Sequence, residues 1–510
     1  GGDGKVRTIV TSQYPRKLVL GDVDKDSNPR TSVIVWDDWS GGLGQYSTNG
    51  KEGMDRFYVS EIETRYKGHL TLPILEVLAS YESVTGTIDE ITTLGSLIVV
   101  SQDNDAYVYT PSTNSWGSKV HDFPAQVTDS LNFIFGTTEY VAFATTGGYT
   151  YSSNGTAYTN KTIDTLHMAF WDYRLWGIGN TGQLWYSSTI GVQVNDAKLP
   201  LPTGYVNRLF VGPDATGEEI LYAATEVGLY AHDAANARFV RTGVVFPQNS
   251  EAGKGAATWN GEIYICAGGL VIFRYDPRSG IIRSVGLDRD GGLQATEAEG
   301  DIVKLVPIHN GLMGVTSNDT TKAVYDYNGR GWHHMIGDDD NITGLHASDA
   351  GGNYRVYFAH DNRLRYRPLF VGFINPDVAT INYDNVTTLF TPWFHAGQND
   401  IDKTAIRLRL DCSGMSSDED ATISFGLNYS TDFESSTLYI DSDGVSVGTF
   451  PTIFNNNREA GSDFRAIRFK ISLARGSPDT NTPNVKSISL EWRRKLVARY
   501  GFEFTLDRSE

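Results

Sequence analysis

The chain is poor in cysteine, in methionine and in positive charge. Only Cys266 and Cys412 occur in 510 residues, 146 positions apart. Two thiols can build neither a disulfide framework nor a cysteine-rich metal site, so both read as small buried hydrophobes. Five Met stand against 27 Tyr, 23 Phe and 10 Trp, a balance that favours strands and turns over helices. No segment carries a sustained helical period. No apolar run approaches the roughly 18 residues of a membrane span, so no membrane insertion is expected. The first residues, Gly1-Gly2-Asp3-Gly4-Lys5, form no apolar h-region, and no signal peptide is expected. Lys and Arg number 43 against 61 Asp and Glu, a formal charge of −18. Such a surface repels nucleic-acid backbone and anionic membrane, so neither is expected as a partner.

What the chain does have is a repeat. A short apolar strand, a tight polar turn and an aromatic-rich strand recur, as in Leu97-Ile-Val-Val-Ser101 followed by Ala106-Tyr-Val-Tyr-Thr110. Further copies begin at Tyr140, Leu175, Ile220, Ile263, Leu312 and Arg355, at intervals of 35 to 49 residues that average 43. A further apolar stretch precedes each copy, at 88–92, 131–135, 168–171, 206–211, 256–259, 303–308 and 342–346. After most copies a polar-aromatic stretch follows, such as Asn114-Ser-Trp116 or Gly329-Arg-Gly-Trp332, making a fourth strand.

A period near 40–45 residues with four strands per unit is the mark of a β-propeller blade. A lone four-stranded sheet cannot cover both of its faces, whereas sheets stacked around an axis cover one another. The expected fold is therefore all-β: a seven-bladed propeller over residues 85–370, with six to eight blades allowed by the pattern. A pair of unrelated β-sandwiches with evenly spaced hairpins is the competing reading. Residues 1–84 read as an extended β-rich arm. In residues 371–510 alternation such as Ile406-Arg-Leu-Arg-Leu410 and Ile467-Arg-Phe-Lys-Ile471 marks strands with one wet face, giving a β-sandwich-like domain.

Motifs for chemistry are weak. Gly177-Ile-Gly-Asn-Thr-Gly182 matches a dinucleotide fingerprint, but a strand, not a helix, follows it, so it reads as a hairpin turn. Gly444-Val-Ser-Val-Gly448 matches a nucleophile elbow outside any α/β context. Asp22-Val-Asp-Lys-Asp26 opens like a calcium loop but lacks the sixth-position Gly and the closing Glu. Asp288-Arg-Asp290 and Asp338-Asp-Asp-Asn341 read as solvated turns. His333 and His334 are adjacent, and neighbours on a strand face opposite ways. No catalytic residue, metal site or cofactor is expected. Axial carboxylates drawn from several blades are the one enzymatic arrangement that the pattern leaves open.

Two stretches resemble a known kind of protein. The first is Trp36-Asp-Asp-Trp-Ser-Gly-Gly-Leu-Gly-Gln-Tyr46, continuing through Asp55-Arg-Phe-Tyr58 to Thr64-Arg-Tyr-Lys-Gly-His-Leu-Thr-Leu-Pro73. It resembles the leader of propeller-containing minor structural proteins of tailed bacteriophages. The second, Leu389-Phe-Thr-Pro-Trp-Phe-His-Ala-Gly397 with Val485-Lys-Ser-Ile-Ser-Leu-Glu-Trp492 and Gly501-Phe-Glu-Phe-Thr-Leu506, resembles their carboxy-terminal β-domain. The resemblance implies a non-enzymatic component of a virion, in the tail or tail tip. Its partners would be other tail proteins, a second copy of the chain, or a host-surface glycan. The alternative is a carbohydrate-binding propeller whose exposed aromatics stack on sugars, with Trp116, Trp185 and Trp332 as candidate contacts. Each of the three would otherwise fill a seam between blades. A propeller glycoside hydrolase is the third reading, and no motif supports it.

Overall fold

The computed structural model describes residues 32–495 except 45, 51–52, 80–85, 180–181, 183, 196–205, 237, 288–297, 318–321, 337–341, 361, 377–380, 416–417, 431–436, 439–446 and 454–462. The calcium-like loop, the two acidic turns at 288–290 and 338–341, most of the elbow-like Gly444–Gly448 stretch and the strand expected at 501–506 lie outside the described residues.

Seven sheets follow one another along residues 88–368, each a four-stranded antiparallel meander along its main path. Their first strands are Ile88–Leu94, Val127–Phe135, His167–Trp171, Val206–Pro213, Ala256–Trp259, Asp301–Ile308 and Thr343–Ser348. Each first strand packs against the next, and the seventh returns to the first, which closes the circle. We number these sheets as blades 1 to 7. The second strands are the apolar runs of the repeat. Leu97–Gln102, Glu219–Thr225 and Gly311–Ser317 are buried along nearly their whole length, because a neighbouring blade covers each face.

Blade 7 takes its fourth strand from elsewhere. Val77–Leu78 pairs antiparallel with Arg363–Pro368, so a segment before blade 1 completes the last blade. Five of the seven first strands carry a register shift at one place, at Ile88/Glu90, Val127/Asp129, Val206/Arg208, Ile302/Lys304 and Thr343/Leu345. A bulge re-aims the residue that follows it, and four of these five residues are charged.

The carboxy-terminal region is a sandwich of two sheets. One carries Ser32–Trp36, Asn484–Arg494, Lys403–Ser413 and Val447–Ile453 in that order. The other carries Ser47–Thr48, Trp393–Phe394, Ile467–Ala474, Val386–Phe390 and Val59–Ser60, with Asp420–Leu427 also on Ile467–Ala474. The alternation read from sequence holds along most of this strand: Ile467, Phe469, Ile471 and Leu473 are buried while Lys470 and Ser472 are half-exposed, but Arg468 on the expected wet face is buried too, its guanidinium 4.6 Å from the Trp393 ring centroid. Trp36 sits edge-on to Phe394 and Phe469, with ring centroids 5.7 and 5.8 Å away.

Over its described residues the arm is not free-standing. Three of its strands lie in the sandwich and one completes blade 7. Between them its Gly41-Gly42 turn presses on blade 6. A Cβ on Gly331 would overlap the Gly41 carbonyl oxygen, and one on Gly42 would stand 2.6 Å from the Trp332 backbone. Only glycine lets the two backbones come this close.

Candidate functional site

Two of the three expected aromatic contacts are covered. Trp185 is 2% exposed and stacks on Tyr149 at 5.1 Å in the seam between blades 2 and 3. Gly177 makes room for it, since a Cβ there would overlap the indole. Trp332 is 3% exposed, donates its Nε1 hydrogen to the Val285 carbonyl at 2.6 Å and lies against Tyr327. Neither ring offers a face to a sugar. Trp116 is half-buried beside Tyr109 in the seam of blades 1 and 7, with Nε1 donating to the Ala79 carbonyl at 3.3 Å. All three sit in seams, where large apolar faces contribute most to packing.

The second place to look is the axis. Lys304 of blade 6 binds Glu90 of blade 1 at 2.8 Å, and Arg208 of blade 4 approaches Asp129 of blade 2 at 3.9 Å. Each pair skips a blade, so each crosses the middle of the ring. Ser130 donates to Glu90 at 2.9 Å, and the Met168 amide donates to Asp129 at 3.0 Å. Burial raises the Asp129 pKa, only partly offset by Arg208 and by the Met168 and Ser130 backbone amides that donate to it. His167 and His346 are pulled down to about 4, by burial and then by the nearby Arg208 and Lys304 cations, so both rings are neutral near pH 7. His346 Nε2 shares a 2.7 Å hydrogen bond with Thr93 of blade 1. Two acids and two cations are thus matched in charge across the axis, although the buried Arg208 Nε has no hydrogen-bond partner among the described residues. Such a set ties non-adjacent blades together.

A third place is less balanced. Where blades 6 and 7 meet the arm there is a cleft of about 280 Å³ whose lining includes Arg65, Tyr66, His309, Asp326, Arg330 and Tyr354. It adjoins an open groove of about 560 Å³, with which it shares Ile308, His309 and Tyr354 and which continues to Trp259 and Asn260 of blade 5. These residues belong to corresponding first-to-second-strand connections of three successive blades, so the repeat itself sets them in a row.

Beneath the cleft Arg65 grips Glu63 through Nε at 2.8 Å and Nη2 at 2.6 Å, and reaches Asp326 Oδ2 through Nη1 at 3.0 Å. Burial would raise the Glu63 carboxyl, but its fork with Arg65 holds it below the usual range. Asp326 goes the other way: burial raises it, Arg65 offsets this in part and Glu63 adds to it. Asp326 is 3% exposed, and its Oδ1 has no hydrogen-bond partner among the described residues. Next to it His333 is held between Thr64 at Nδ1, 2.7 Å, and the Asn328 amide at Nε2, 3.0 Å, and burial pushes its pKa down to about 3. As the strand geometry requires, His333 is buried and His334 half-exposed.

Sequence reasoning missed Asp326 and Arg65. A signal for the first was present, an acid inside the otherwise apolar Ala323-Val-Tyr-Asp-Tyr327 run. Nothing local marked the second, whose partner is 261 residues away. The fingerprint-like stretch is a hairpin link: the Gly182 amide donates to the Gly179 carbonyl at 3.0 Å and the strand Leu184–Thr189 follows. Cys266 and Cys412 are buried and not disulfide-bonded, with burial raising both thiols and Cys412 to about 11. Among the described residues no group of three or more His, Cys, Asp or Glu is placed to hold a metal ion.

No family model and no curated protein matches the chain. Solved structures of similar shape include an extracellular domain from B. thetaiotaomicron described as part of a one component system. It is 14% identical, with 62% of this chain aligned to 46% of that one and a TM-score of 0.45. The match therefore spans less than half of that chain. The Neurospora crassa Pan2 WD40 domain is similar at 10% identity, with 60% of this chain aligned to 98% of that domain and a TM-score of 0.43.

Proposed function

We propose that this chain is a non-catalytic structural component of a tailed-bacteriophage particle, in its tail or tail tip, serving as a stiff β platform for assembly or host contact. The observation that carries this reading is the arm. The arm in which the leader-like residues lie supplies three sandwich strands and the closing strand of blade 7, these strands flanking the resembling segments and sharing only Trp36 with them. Ring and sandwich are thereby cross-linked through main-chain pairing rather than through a linker, as a part under mechanical load requires. Matched charges across the axis brace the ring in the same sense. Partners in this reading are other tail proteins or a second copy of the chain.

Mass spectrometry and electron microscopy of purified particles from the source test it. Density for a ring joined to a sandwich at the tail supports the proposal. Absence of the chain from particles that are otherwise complete overturns it. The carbohydrate-binding reading has its own support in the cleft and groove over blades 5 to 7, taken up next.

A further inference from the structure

We infer that the cleft and groove over blades 5 to 7 form a saccharide-binding site that takes neutral or amino sugars and rejects acidic ones. This stands on the geometry of the groove and does not depend on the chain being part of a phage.

Aromatic surface is the first ground. Trp259, Tyr354 and Tyr66 are each half-buried on the lining of the cleft or groove, and His309 is exposed beside Tyr354 with ring centroids 4.4 Å apart. Rings held by packing on one side, with some surface left over, can take the C–H face of a pyranose at little entropic cost. None of them is among the tryptophans singled out from sequence. The cleft lining mixes polar and charged residues, among them Asn310, Asp326 and Asn328, with the apolar Ile308, Leu369 and Phe370, a mix that suits both the hydroxyls and the C–H faces of a sugar.

Asp326 is the second ground. Its Oδ1 is a buried acceptor with no partner among the described residues, and it belongs to a carboxylate that lines the cleft. An unmet buried acceptor is costly, and a ligand hydroxyl or ammonium would meet it. A Cβ on Gly311 would stand 2.8 Å from this oxygen, so the neighbouring turn leaves it room. Exposed Asn260 and Asn310, in corresponding turns of blades 5 and 6, place one side-chain amide on the groove and one on the cleft. Asn310 already donates its amide to the Phe370 carbonyl at 3.2 Å and to the Val371 carbonyl at 2.5 Å, so it offers a ligand its carbonyl oxygen.

Charge sets the preference. Glu63 and Asp326 share the single guanidinium of Arg65. Arg330 on the rim is engaged by Asp55 at 2.7 Å and Asp38 at 3.5 Å. Both arginines on the cleft lining are thus already engaged by carboxylates, Arg65 by Glu63 and Asp326 and Arg330 by Asp38 and Asp55, so an acidic sugar would find no unengaged cation there. A uronate or sialate brought to it would place like charges together, whereas an amino sugar would bring a positive charge of its own.

The test is a glycan array of neutral, amino and acidic sugars, bacterial surface polysaccharides included, probed with the full chain. The best binder is then titrated by tryptophan fluorescence. Wild-type protein should retain neutral or amino sugars and not uronates. Tyr354→Ala and His309→Ala should each weaken binding about tenfold or more, and Trp116→Ala should leave it unchanged. Asp326→Asn should weaken the neutral sugar and narrow the gap to its uronate. Should that variant misfold by circular dichroism, the two rim variants decide alone. The inference is overturned if no sugar binds, if acidic sugars bind best, or if the Tyr354 and His309 variants bind as wild type. None of these results bears on whether the chain is present in a virion, which imaging of particles decides.

Discussion

The axis of the ring and the cleft over blade 6 both hold buried charge, and they hold it differently. At the axis Glu90 meets Lys304 and Asp129 meets Arg208, one cation for each carboxylate. At the cleft Glu63 and Asp326 compete for Arg65, and one carboxylate oxygen is left over. A matched set costs least when it stays closed, so the axis acts as bracing. An unmatched set improves when something enters, so the cleft is where a ligand is expected.

The two regions can be driven apart experimentally. Replacing Gly331 by Val should have the largest effect, because its side chain would overlap the Gly41 carbonyl and force the arm off blade 6. A loss of about 4 kcal/mol is expected in denaturant melts, with the 41–42 turn becoming open to protease and the cleft dismantled while the axis stays intact. A variant that melts like wild type would show that the arm contact adds nothing.

Lys304→Met attacks the axis instead. It strands Glu90 among neutral groups and should cost about 3 kcal/mol. Adding Glu90→Leu should return most of that loss, since removing a whole pair is far milder than breaking it. If the double variant is worse than the single, the axis is not a matched set. Neither change should alter sugar binding.

Acid should find the axis next. His167 and His346 titrate near 4 in the fold against an ordinary 6.5. Between those values the unfolded chain takes up protons that the fold refuses. The contribution of these two rings is therefore level above pH 6.5 and falls as pH drops toward 4, against an opposing gain from Asp89, whose carboxyl burial pushes up to about 6. His346→Gln, which keeps an amide for Thr93, should flatten that fall by roughly 2 kcal/mol by about pH 4.5. An unchanged slope would mean that this ring is protonated in the fold.

Arg330→Ala should do least. Its guanidinium is 55% exposed and bridges Asp38 and Asp55 in solvent, so the melt should shift by under about 1 kcal/mol. A much larger loss would make this rim, rather than the glycine contact, the clamp on the arm.

Much of the ring was legible because its pairing is local. Each strand of a blade pairs with the next along the chain, so Tyr140-Val-Ala-Phe-Ala144 and Gly148–Ser152 carry their pairing in their spacing. The all-β fold and the one-wet-face strands of the sandwich could be read for the same reason. The aromatic candidates Trp185 and Trp332 were legible only as large rings. Whether a ring fills a seam or faces a ligand depends on the neighbouring blade, which its own sequence does not specify.

Residue order by itself determined the repeat, the strands and their local meanders, because alternation and turn residues act within a dozen positions. Tertiary structure alone decided that Val77–Leu78 finishes blade 7, that Ser32–Trp36 joins Asn484–Arg494, and that Arg65 reaches Asp326. An edge strand looks the same in sequence whichever distant edge it joins, and a buried charge finds its counter-charge only when the whole chain has closed around it.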